Sequence, residues 1–154
     1  MKQFISLILL LLGLRLSAQW SPFGTGIATN DFVIGMVDYQ GSLLAYTYPN
    51  PTLYEWDGVG QWNTPMPPVP NAGGIHKLAV VDSVLWAATY ATGTYNQVHR
   101  WDGSQWVQVG RSFRNWGSNA VPSMYDLVTF RDTLYVCGDF ARYAGFAVTL
   151  TGTG

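Results

Sequence analysis

The dipeptide Gln-Trp recurs three times in this chain, at Gln19-Trp20, Gln61-Trp62 and Gln105-Trp106. The spacing of about 42 to 44 residues is long enough for a whole supersecondary unit, which makes a stack of repeats the first architecture to consider. Trp-Asp-Gly shares the period, at Trp56-Asp57-Gly58 and Trp101-Asp102-Gly103. In "WDGSQW", Asp102-Gly103 separates the two tryptophans as a hairpin turn would, because both residue types tolerate positive φ.

Three further segments align without gaps: Met36–Thr47, Leu78–Thr89 and Leu127–Gly138. Each has an apolar strand, a short polar turn and a second apolar strand. The turns are Gln40-Gly41-Ser42, Asp82-Ser83 and Arg131-Asp132, short enough for hairpins. Combined with the Trp-flanked turn, the pattern gives four short strands per unit. The second unit reads as strands over 75–81, 84–89, 97–102 and 105–109. Four antiparallel strands repeating at this period predict β-propeller blades. The units span about 33–66, 75–110 and 124–154. "TPMPPVPNAGG" and "GRSFRNWGSNAVPS" are the crossings between them.

Composition agrees with an all-β chain. Charged residues are 11% and aromatics 15%, with 17 glycines and 8 prolines. After residue 20 no 3.6-residue apolar stripe with caps appears, so helices are not expected. Ahead of the repeats, "MKQ" followed by the apolar run Phe4–Leu14 and the small residues of "LSAQ" has the layout of a secretory signal peptide over 1–18. The run is too short to span a bilayer. Its removal takes Lys2 and Arg15, leaving six basic against nine acidic residues. That balance lacks the basic face a nucleic-acid partner needs. The single cysteine, Cys137, permits no intrachain disulfide, so an exported chain of this kind depends on its core.

"LYVCGDFARYAG" (Leu134 to Gly145) and the earlier "WDGSQW" resemble the WDG-containing, kelch-like propeller repeats of secreted bacterial proteins. Fungal cell-polarity marker proteins carry similar repeats. The resemblance implies a propeller over most of 19–154, and structural roles for Trp20, Trp56, Asp57, Gly58, Trp62, Trp101, Asp102, Gly103, Trp106, Gly138 and Gly145. The family's glycine pair is Tyr46-Thr47, Ala88-Thr89 and Cys137-Gly138 in the three units, and Leu150-Thr151-Gly152 fills the register of Trp-Asp-Gly in the last. A WD-repeat assignment would need Gly-His upstream of Trp-Asp. His76 follows Ile75 instead, and Ile34 and Tyr125 stand at the aligned positions.

No catalytic, cofactor or metal site is expected. His76 and His99 sit singly on different strands, without the clustered donors a transition metal requires. Cys137 has no base placed beside it by motif. Asp57 and Asp102 read as turn formers. Copper radical oxidases share a kelch-type fold, yet fold analogy alone carries no activity. The expectation is a non-catalytic secreted or cell-surface propeller used for binding or as a scaffold; across this reading and its alternative, the expected partner is an extracellular protein or a glycan. The alternative is a carbohydrate-active module, with Tyr48, Tyr90, Tyr95 and Trp116 stacking on sugars from loops. About three blades fall short of the usual four to eight. The chain is therefore expected to be part of a larger propeller, with a six-bladed homodimer as the alternative. Residues 19–24, aligned with the fourth strand at 105–110, are the expected closing strand.

Overall fold

Hairpins organise the chain. The computed structural model describes residues 24, 26–27, 29–91, 96–113, 124–131 and 133–138, and among these it contains strands and turns but no helix. The first sheet is an antiparallel meander of β1 (Phe32–Tyr39), β2 (Ser42–Tyr48), β3 (Leu53–Trp56) and β4 (Trp62–Asn63). The second repeats it with β5 (Ala72–Val81), β6 (Val84–Ala91), β7 (Asn96–Trp101) and β8 (Trp106–Phe113). In the third, β9 (Met124–Phe130) pairs with β10 (Thr133–Gly138). The remainder of that unit, the segment 1–18, residues 19–23 of the strand expected over 19–24, Trp20 among them, and Tyr95, Trp116 and Gly145 lie outside the described residues; Gly24 stands in a turn.

The β1–β2, β5–β6 and β9–β10 turns are two residues long, since Tyr39 pairs with Ser42, Val81 with Val84 and Phe130 with Thr133. Ser42 therefore belongs to β2 and not to the turn. Gln40, Asp82 and Arg131, one repeat position, have φ of 54°, 48° and 49°. Tight hairpins need this left-handed geometry to match strand twist. The Trp-flanked turns are built differently from the sequence expectation. Only the glycine takes positive φ, 83° at Gly58 and 100° at Gly103. The aspartate stays out of that region and caps the loop through its carboxylate.

β4 stops after two residues while β8 runs for eight. Pro65, Pro67, Pro68 and Pro70 follow it and have no N–H to give a ladder. The link instead drops over the gap beside the second sheet, burying Val69 and half-burying Met66.

The second sheet is covered on both faces. Leu85 and Ala87 of β6 join a core with Leu44, Tyr46 and Leu53 of the first sheet. Trp86 and Ala88 point the other way, into a core with Met124, Leu127 and Leu134 of the third. Side chains alternate across a strand, so one strand serves two interfaces. That explains why Leu85 through Thr89 are all buried. The sheets approach most closely at their first strands: β5 lies against β1 and β2 on one side and β9 on the other, whereas β3, β4, β7 and β8 have no comparable neighbour in another sheet. The stack is thus a fan converging on β1, β5 and β9. Among the described residues it does not close into a ring.

Candidate functional site

The two Trp-Asp-Gly turns occupy one end of the fan, each at the outer side of its own sheet. Trp56 ends β3 and Trp62 begins β4; Trp101 ends β7 and Trp106 begins β8. Both pairs face each other across the strands, with ring centroids 5.4 Å apart and tilted. Asp102 Oδ1 accepts hydrogen bonds from the backbone N–H of Ser104 and Gln105, both at 2.8 Å, and from Ser104 Oγ at 2.9 Å. Asp57 Oδ1 accepts from the N–H groups of Val59, Gly60 and Gln61 at 2.8, 2.8 and 3.0 Å. These donors, led by Gln105, hold the Asp102 carboxyl at about 2. The Gln61, Gly60 and Val59 amides lower Asp57 in the same sense. Each aspartate commits its Oδ1 to its own loop, as a turn former does. Trp106 goes further: buried to 5% exposure, its Nε1–H donates to the Pro67 carbonyl at 3.1 Å and fastens the inter-sheet link. Gly24 lies against the Trp56 ring and the Gly60 carbonyl, leaving no room for a Cβ. Gly138 ends β10 and takes no part in these turns.

The opposite end of the fan carries a feature the repeat alignment contained without revealing its meaning. In β1 the register jumps between Val33 and Gly35, in β5 between Ile75 and Lys77, and in the β9–β10 pair between Asp126 and Met124. The extra residues are Ile34, His76 and Tyr125, one repeat position in three sheets. Each is a β-bulge on the first strand of its sheet. A bulge kinks an edge and re-aims the side chain it carries, and here it blunts the strands where the fan converges.

Beside the bulges lies an aromatic cluster. Tyr48, the last residue of β2, and its repeat equivalent Tyr90, next to last in β6, have rings 5.6 Å apart, and the His76 ring is 5.3 Å from that of Tyr90. They stand on strands, not in the loops expected from the sequence. Burial and then the hydrogen bond with Tyr48 raise the Tyr90 hydroxyl to about 12. Burial lowers His76. Phe32 and Tyr125 add exposed rings at 71% and 67%. One step along the first strands, Lys77 Nζ meets Asp126 Oδ1 at 3.0 Å, tying the second sheet to the third. The hydrogen bond to Asp126 raises Lys77. Tyr46, raised by burial, lies near this pair. Both partners are about 40% or more exposed, so the ion pair is worth little as a stability term.

His99 is buried at 2% exposure, with Nδ1 3.3 Å from Thr89 Oγ1, and burial pushes it down to about 4. It is a packed strand residue, far from His76 in the repeat. Cys137 is exposed on β10, with Sγ 3.6 Å from the Asp126 carbonyl. Among the described residues no group of three His, Cys, Asp or Glu side chains could hold a metal ion, and no helix is long and apolar enough to cross a membrane. No family model, curated protein or solved structure matches the chain.

Proposed function

We propose that the chain is a run of kelch-like propeller blades, part of a larger propeller, exported through a signal peptide and used for extracellular binding or scaffolding without catalysis. The observation that carries this reading is the repeat-wise identity of the sheets. Each begins with a strand bulged at one position, continues through a two-residue hairpin, and meets its neighbours at that first strand. Radial convergence of four-stranded meanders is how propeller blades are arranged. The bulged end, where Phe32, Tyr48 and Tyr125 are exposed, is the binding edge in this reading, because exposed rings offer much contact area at small entropic cost.

One observation favours the carbohydrate-active reading instead. Tyr48, 42% exposed, is braced from behind by Tyr90, and a braced ring is a ready platform for a sugar face. A glycan array probed with the chain and with Tyr48→Ala separates the two, with a copper-loaded oxidase assay alongside. Retention of no glycan and absence of oxidase activity agree with the binding-scaffold reading. Glycan binding lost in Tyr48→Ala, or oxidase turnover, overturns it in favour of the second.

A further inference from the structure

Among the described residues, the first and third sheets each leave an apolar outward face exposed, and the repeat itself states what fits them. At one internal interface the second sheet presents Ile75 and Leu78 to the first, exposed by 0% and 3%. At the other, the third sheet presents the equivalent Met124 and Leu127 to the second, exposed by 2% and 4%. The same positions in the first sheet are Val33 and Met36, and they stand 43% and 56% exposed on its outward face. The opposite face obeys the same rule. Tyr39 of β1 is buried against the second sheet at 9%, and the equivalent Val81 packs against the third. Their counterpart Phe130 is 58% exposed on the outward face of the third sheet, beside Val128 at 50%. Cys137, exposed, stands where Tyr46 and Ala88 are buried. The outward face of the first sheet is therefore shaped to receive the outward face of the third, through the contact the chain already makes twice.

Charge points the same way. In the core between the first and second sheets, Tyr39 and Val80 belong to one cluster. Transferred to the open faces, these positions are Phe130 and Asp38. Arg131 lies over the Phe130 ring, 5.0 Å from its centroid, and Asp38 is exposed. Docked in the internal register, the faces would bring the Arg131 cation toward the Asp38 carboxylate, whose Oδ1 accepts from the Gly41 N–H at 3.2 Å within its own hairpin.

We propose that the occupant of these faces is a second copy of this chain, bound head to tail, with the third sheet of each copy on the first sheet of the other. A two-fold pair makes two such contacts and closes a ring of six sheets, within the usual range for propellers of about four to eight. The first sheet is about 19 Å across its four strands, and two contacts closing at once add their areas toward the total of a stable interface, about 1,200–2,000 Å². The proposal rests on the blade reading above, with a second copy, and not further blades in the same chain, making up the larger propeller.

Multi-angle light scattering on the purified chain gives the test, with far-UV circular dichroism on each variant to confirm that its strands remain. The expected result is a two-chain particle in which Cys137 reacts at least tenfold more slowly with a thiol reagent than in a monomeric variant. R131D and D38R each shift the particle to one chain, and the D38R/R131D pair restores two. A monomer with intact β-sheet signal, a larger particle, or a dimer indifferent to both reversals overturns the pairing. In the first case the fan of blades still stands, because that is measured within one chain.

Discussion

Trp106→Ala tests the argument that the Trp-flanked turns hold the inter-sheet link. The side chain is 95% buried within a core shared by two sheets. A Trp buries about 150–250 Å², which at about 25 cal/mol per Å² corresponds to roughly 4–6 kcal/mol. Residual burial in the unfolded chain trims this to about 3–5 kcal/mol, the range measured when large aromatics are emptied from cores. Removing the indole also takes the donor from the Pro67 carbonyl. Trp106→Phe keeps most of the packing and loses that bond, and should cost about 1–2 kcal/mol. The repeat treats Trp101 and Trp106 as equals, with a cost of about 3–5 kcal/mol expected for each. The structure separates them, because Trp101 is only partly buried, whereas Trp106 is buried and also donates to the Pro67 carbonyl. Trp101→Ala should therefore cost less than Trp106→Ala, about 2–4 kcal/mol. Urea unfolding followed by far-UV circular dichroism reads all three variants. Equal costs for Trp101→Ala and Trp106→Ala would refute the reasoning.

The Asp102 carboxyl, held at about 2 by its loop amides, favours the folded state above its ordinary value of 3.8, and that contribution disappears as pH falls toward 2. Carbonyl NMR titration should give a midpoint near 2, and one near 4 would show the loop bonds to be absent in solution. Burial lowers both histidines, His99 to about 4. Unfolded histidines accept protons that the folded ones refuse, so stability is full above pH 6.5 and declines as pH falls toward 4. The urea midpoint should drop between pH 7 and pH 5, and His99→Gln should flatten that slope. A wild-type midpoint unchanged over this interval would contradict the buried neutral ring. For export, N-terminal sequencing of protein recovered from the medium should begin at Gln19 or Trp20; an intact Met1 would sink the signal-peptide reading.

Period, hairpins and strand alternation were readable in the residues, because Leu85 and Trp86 carry opposite-face burial in adjacent letters. The strand ends were not. β4 is one of four strands in its unit, but prolines after Asn63 end it at two residues. The role of Asp in the Trp-Asp-Gly turn is not legible, since residue type does not distinguish a residue that adopts positive φ from one that accepts N–H bonds. The bulges were harder still. Ile34, His76 and Tyr125 share no chemistry, and a bulge is a property of register between strands. Their alignment in one column was the only signal. Tyr48 and Tyr90 read as loop residues in the sequence because the turns after them are rich in Pro, Gly and Thr, and their mutual stacking depends on two sheets meeting.

The central claim is that the sheets form a fan that converges at its first strands. With Cys137 replaced by Ser, spin labels can be placed at equivalent turn positions in neighbouring sheets. One pair, Gly41 and Ser83, reports the β1–β2 and β5–β6 hairpins. The other, Val59 and Ser104, reports the outer Trp-flanked turns. Pulsed dipolar measurement within one chain, diluted with unlabelled protein, should give a clearly longer distance for the outer pair than for the inner pair. Equal distances would mean sheets stacked in parallel as a sandwich, and would contradict the propeller account.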